Sequence, residues 1–360
     1  MRLFQCQSCD QRLYFENTRC ERCGHALGYL PDAGVLSAVE PDGGEWIALA
    51  CLGLRYRFCR NWEQMGCNWM VEAGDDDEFC LACRHNRTIP DISLPENHLN
   101  WQKIEAAKRR LVYSLIRLGL PRPTQSSGDP EPLVFDFLAD VPGGPKVMTG
   151  HDNGVITIAL KEADDATREA ARESMGELYR TLLGHFRHEV GHYYWDKLVR
   201  DGGDLDGFRM LFGDERFDYG EALARHYQDG APDDWREHFV SSYATMHPWE
   251  DWAETWAHYL HIVDTLEMAG SFGISISPEV GDDAGTETTV SFDPYRARSV
   301  NTLLQAWLPL TYAVNSLNRA MGQPDLYPFM IPPAVAEKLS YVHRLIHYSN
   351  RKPELPVATS

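Results

Sequence analysis

All nine cysteines of this 360-residue chain fall between positions 6 and 83, and none follows. A disulfide-stapled fold would not segregate its cysteines in this way, and a reducing compartment would not keep them paired. Their spacing fits another use. Cys6-x2-Cys9 and Cys20-x2-Cys23 are two tight turns ten residues apart. Each aims two thiolates at one tetrahedral ion, and together they close a structural zinc site of ribbon type. Cys59, Cys67, Cys80 and Cys83 supply one such turn and two separated thiols, enough for a second four-sulfur site. The plainer alternative for the second set is buried, reduced thiols. Cys51 is left over, and His85 is a substitute ligand in reserve. A closed four-thiolate site leaves no position for water, so both sites hold structure and do no chemistry. A segment of about 90 residues with few large aliphatic side chains needs such cross-links to fold.

The next constraint is His188-Glu189-Val190-Gly191-His192. Around it Leu178, Leu182, Phe186, Val190 and Tyr193 recur every three or four residues, which predicts one helix over 177–200. Two histidines four apart share a face of that helix, opposite the apolar stripe, with a carboxylate between them. A hydrolytic zinc needs this set: two imidazoles for the ion and Glu189 to take a proton from water. The bland alternative is a pair of surface histidines on an amphipathic helix.

Two histidines leave such a zinc one protein ligand short. The best supplier is HPWEDWAETWAHYLH, residues 247–261. Pro248 suits the first turn of a helix, and Trp249, Trp252, Trp256 and Tyr259 form an apolar face. Glu250 and Glu254, four apart, share a face. Two carboxylates near a buried seam are costly unless paired or metal-bound. One can ligate while the other orients a ligand histidine through its second ring nitrogen. His247, Asp251, His258 and His261 compete for the role, and spacing alone does not choose.

Elsewhere, helical period over 97–118 makes Trp101, Ile104, Leu111, Leu115 and Leu118 a buried stripe, with Lys108, Arg109 and Arg110 on its wet side. Residues 31–45 read as a Gly/Pro/Asp loop. Residues 132–140 and 155–160 read as strands, the second with an unpaired edge at the cleft rim on which an extended peptide can align. Further helices are expected over 164–175, 219–229, 298–321 and 333–347. His151, His185 and Asp196 are candidate neighbours of the site, with structural or surface roles as the alternative. A net charge of −19 argues against a chain that wraps nucleic acid. No apolar run of about 18 residues is present to cross a membrane, and the first residues lack a signal-peptide core, so the expected compartment is the cytoplasm.

The pairing of HEVGH with Glu250-Asp-Trp-Ala-Glu254-Thr-Trp, 58 residues after His192, resembles the gluzincin metallopeptidases and is similar to the catalytic domain of anthrax lethal factor. That resemblance implies Glu250 as the third zinc ligand, with Glu254 behind the ligand histidine. It also implies that Tyr243, seven residues before Glu250, faces the metal and hydrogen-bonds the oxyanion. A core tyrosine under the Trp-rich helix is the alternative. The cysteine array, CNW (67–69), AKRRLVYSL (107–115), TGHDNGVIT (149–157) and YRTLLGHFRHEVGHYYW (179–195), together with 247–261, resemble a bacterial family of zinc-binding peptidases with an N-terminal zinc ribbon.

The expected fold is α+β: a zinc-ribbon β region over 1–90, a mainly helical zincin-like metallopeptidase domain over 91–349 with an edge strand at its cleft, and a tail over 350–360. The expected chemistry is hydrolysis of a peptide or protein substrate with Glu189 as general base. The expected cofactors are one catalytic zinc and two structural zincs, with the ribbons available to a protein partner. The competing reading is a zinc-ribbon binding module whose HEVGH zinc is inert; the presence of Glu189 speaks against it.

Overall fold

The computed structural model describes residues 1–175, 177–279 and 284–349; the tail expected at 350–360 lies outside them. The chain divides into two compact units. The first comprises residues 1–116, 122–176 and 180–186, and the second comprises 117–121, 177–179 and 187 onward.

In the first unit, β1 (Phe4–Gln5) and β2 (Arg12–Leu13) form a short antiparallel pair around the first cysteine turn. A five-stranded antiparallel meander follows: β3 (Ala26–Leu30), β4 (Val35–Asp42), β5 (Glu45–Ala48), β6 (Arg55–Phe58) and β7 (Met70–Glu72). The loop expected over 31–45 is largely this β4. Leu36, Ala38 and Val39 are buried, and only its ends turn, through Gly34 and Gly43 in the left-handed region at φ +61° and +60°. Burial of a short apolar run thus outweighs the Gly/Pro content around it. Phe15 packs edge-on with Tyr29 and Tyr113 at centroid distances of 5.0 and 5.3 Å, and Tyr29 lies tilted on Trp69 at 4.8 Å.

Tyr113 lies on α1 (Pro95–Arg117), which buries Trp101, Ile104, Leu111 and Leu115 as the periodicity requires. The short β8 (Asn86–Thr88) joins β9 (Val134–Leu138), β10 (Gly150–Asp152) and β11 (Val155–Ala159) in a sheet of order β10-β11-β9-β8. β11 is therefore paired on both sides, and the edge expected of it belongs to β10. The Gly154 turn folds β10 back antiparallel and covers that edge. After β11 comes α2 (Asp165–Met175), capped by Asp164, which accepts from Thr167 N at 2.7 Å.

The HEVGH helix is α3 (Leu182–Trp195), continued by a π-helical turn over Asp196–Arg200. It starts later than its periodicity suggests. Thr181 caps it, its hydroxyl accepting from Gly184 N at 3.0 Å, so Leu178 precedes the helix and is exposed. The second unit adds α4 (Leu205–Phe212), α5 (Tyr219–Asp229), α6 (Trp235–His238), α7 (Pro248–Phe272), a small β12–β13 pair (Ser275–Ile276, Thr288–Thr289), α8 (Val300–Ala320) and α9 (Pro333–Ser349). Its core gathers on α7, where Trp252, Trp256, Tyr259, Leu260, Val263 and Leu266 are buried, with Leu303 and Trp307 of α8 and Leu339 and Val342 of α9. Among the described residues no helix is long and apolar enough to cross a membrane.

Candidate active site and metal centres

α7 begins where the sequence allows: Pro248 occupies the first turn, and His247 caps it, accepting from Trp249 N on Nδ1 at 3.2 Å while donating from Nε2 to Phe217 O at 3.1 Å. α7 meets α3 at Gly191. A Cβ there would lie 3.1 Å from Ala253 Cα and 3.2 Å from a Trp256 ring carbon, and Trp252 Nε1 donates to Gly191 O at 2.8 Å. The small residues let two backbones approach closely. A buried ion pair between Arg187 and Asp264, with Tyr295 donating to the same carboxylate, fixes the roll of α3 on α7.

That crossing brings one turn of each helix together. His188 Nε2 and His192 Nε2 stand 3.3 Å apart. Glu250 places Oε2 3.0 Å from His188 Nε2 and Oε1 3.4 Å from His192 Nε2. A tetrahedral zinc with bonds of about 2.0–2.1 Å holds its donor atoms roughly 3.3 Å apart, so these donors fit one ion. Glu250 is buried, and its Oε2 has no hydrogen-bond donor, an arrangement costly without a cation. Glu254, one turn on, accepts from His188 Nδ1 at 2.7 Å, which leaves Nε2 as the free lone pair. Burial opposes a charge on His188, but Glu250 and Glu254 outweigh it and hold the imidazole well above its ordinary pKa. The surroundings therefore favour a positive charge at this point.

Glu189 is half-buried on α3. The Tyr243 ring lies 6.1 Å from that of His188. Burial, then the Glu250 charge, pushes the Tyr243 hydroxyl far up, so it stays protonated and can donate. Tyr219, at the start of α5, donates to Glu250 Oε1 at 3.0 Å. Sequence reasoning missed it, because nothing in the spacing links a helix start to a carboxylate 31 residues on.

The competing ligands are engaged elsewhere. His247 is the cap just described. Asp251 pairs with Lys338 at 2.6 Å, burial pushing its carboxyl up to about 7 against that partner. His258 meets the Tyr327 hydroxyl at 2.7 Å, and His261 packs on the rings of Tyr179, Trp307 and Tyr327. Of the further candidates, His185 pairs with Glu162 at 3.2 Å, His151 accepts from Gly154 N at 3.1 Å, and Asp196 pairs with Arg200 at 3.0 Å.

The cysteines form two four-sulfur clusters, Cys6/Cys9/Cys20/Cys23 and Cys59/Cys67/Cys80/Cys83, each with its sulfurs within 4.8 Å of one another. Cys6 and Cys23 lie 3.6 Å apart, as do Cys9 and Cys20, and Cys67 and Cys80 lie 3.7 Å apart. A disulfide would bring sulfurs to about 2.0 Å, whereas a tetrahedral zinc with bonds of about 2.3 Å spaces them roughly 3.8 Å apart. Backbone N–H groups of Trp69 and Cys80 point at the Cys67 and Cys59 sulfurs at 3.4 Å. Burial and the neighbouring thiols push the Cys80 thiol well up, the penalty of crowding acidic sulfurs without an ion. His85 stays out of the cluster, its Nδ1 donating to Leu133 O at 2.9 Å, and Cys51 belongs to neither set.

The basic run on α1 is a correction. Lys108 and Arg109 are buried rather than wet. Lys108 pairs with buried Glu105 at 2.8 Å, and Arg109 donates to Gly66 O. Both feel the charge of the second cysteine cluster.

Residues 97–345 match the family model described as "Putative zinc-binding metallo-peptidase", and residues 3–94 match a zinc-ribbon domain. Uncharacterized proteins of Mycobacterium bovis and of two strains of Mycobacterium tuberculosis are each 41% identical to this chain over 347 residues, covering 96% of it and 95% of their own length. No solved structure matches.

Proposed function

This chain belongs to the zinc-binding metallo-peptidase family, and from that premise we propose a gluzincin-type peptidase whose metal is held by His188, His192 and Glu250. The observation that carries the reading is the convergence of one donor atom from each of the three side chains to within 4.8 Å of one another, with His188 Nε2 3.3 Å from His192 Nε2 and 3.0 Å from Glu250 Oε2. Zinc bound there supplies Lewis acidity, polarising the scissile carbonyl and acidifying the attacking water. Glu189 takes the water proton and delivers it to the leaving amine, so the departing group leaves neutral. Tyr243 donates a hydrogen bond to the oxyanion as the carbonyl carbon becomes tetrahedral. Glu254 accepts the His188 Nδ1 proton and so keeps that imidazole in the ligand tautomer.

In this reading residues 1–90 are a zinc ribbon with two structural ions, residues 91–349 are the peptidase domain, and the substrate is a peptide. Nine unpaired thiols suit a reducing cytoplasm. The ribbons remain a surface for a protein partner.

Glu189→Gln tests the chemistry against the inert-site reading. The variant is expected to keep its full zinc content and its melting temperature while hydrolysis of a mixed peptide library falls by about 10²–10⁴-fold. Equal rates for the two proteins would remove the peptidase assignment.

A further inference from the structure

Tyr219 opens α5, a helix with no buried residue, and Asp218 fixes that first turn by accepting from Glu221 N at 2.7 Å. The tyrosine ring nevertheless turns inward. Its centroid lies 5.4 Å from that of His247 and 6.5 Å from that of Trp249, and its hydroxyl donates to Glu250 Oε1 at 3.0 Å. The two oxygens of Glu250 are thereby made unequal. Oε1 carries a hydroxyl donor, whereas Oε2 has no hydrogen-bond donor and stands 3.0 Å from His188 Nε2.

A carboxylate with two unheld oxygens can turn about its last side-chain bond and lose its aim at a cation, which costs affinity. One whose first oxygen is held by a donor keeps the second pointed at the ion. We propose that Tyr219 is a positioning residue for the metal centre: its hydroxyl engages Glu250 Oε1 so that the carboxylate presents Oε2 alone to the ion. This rests on Glu250 being a ligand, as read above. It assigns a role to a residue outside the HEVGH motif and the helix that supplies Glu250.

The test is zinc affinity at the third site, read by competition with a chelator, for wild type, Tyr219→Phe and Tyr219→Ala. Phe keeps the ring on His247 and Trp249 and removes only the hydroxyl. Both variants should bind the third zinc about 10–100-fold more weakly and to a similar extent, with the two cysteine-held ions and the melting temperature of the protein lacking the third zinc unchanged. A Y219F protein that binds as tightly as wild type overturns the inference, as does a loss confined to Y219A, which would assign the effect to ring packing. A wild type that takes up only two zinc ions overturns the metal centre itself; three ions with an unaffected Y219F overturns the role of Tyr219 alone.

Discussion

Glu250 and Glu254 stand one turn apart on α7, and the imidazole atom each one meets separates their roles. Glu250 faces Nε2 of His188, and Glu254 takes the proton on Nδ1 of the same ring. A single histidine is thus oriented from both ends, and its lone pair has one direction left. Tyr243 is held apart from this work, with its hydroxyl protonated under burial and the nearby carboxylate charge. Removing that hydroxyl should cost transition-state stabilisation while leaving the metal in place. Tyr243→Phe is expected to lower kcat by about 10²–10³-fold with KM and zinc content little changed. Steady-state kinetics with a metal assay would show it, and an unaltered kcat would return Tyr243 to a packing role.

Between elements, the decisive feature is the crossing of α3 and α7 at Gly191. Alanine there gains about 1 kcal/mol in helix propensity. The added carbon meets Ala253 Cα at 3.1 Å, however, and overpacking against backbone typically costs about 1–3 kcal/mol. Gly191→Ala should therefore be destabilised in urea unfolding and hold the third zinc less tightly, since the helices must part; a variant as stable as wild type with unchanged zinc binding would refute the close approach. Much at this scale was legible. α1 follows from apolar residues recurring at helical spacing, α2 from a charged helical run and the knuckles from the cysteines, and α5, α8 and α9 lie where helices are expected. What escaped was decided by partners far along the chain. Leu178 fits the stripe of α3, but the Thr181 cap starts the helix after it. Lys108 and Arg109 look wet until Glu105, the Gly66 carbonyl and a cluster of sulfurs are seen around them. Tyr219 carries no local mark of its target.

For the whole molecule, three groups of donors converge among the described residues: two sets of four thiols in the first compact unit and the His188/His192/Glu250 set in the second. The closed sets have no place for water and the mixed set has one, so their metals should differ in role and in ease of removal. The cysteine-held ions are expected to be part of the fold and the third to be removable from a folded chain. The most direct measurement is zinc per chain, by elemental analysis, for wild type and for His188→Ala with His192→Ala, each checked for a folded circular dichroism spectrum. Three ions falling to two is the predicted result; two in the wild type, or three in the folded variant, would contradict it.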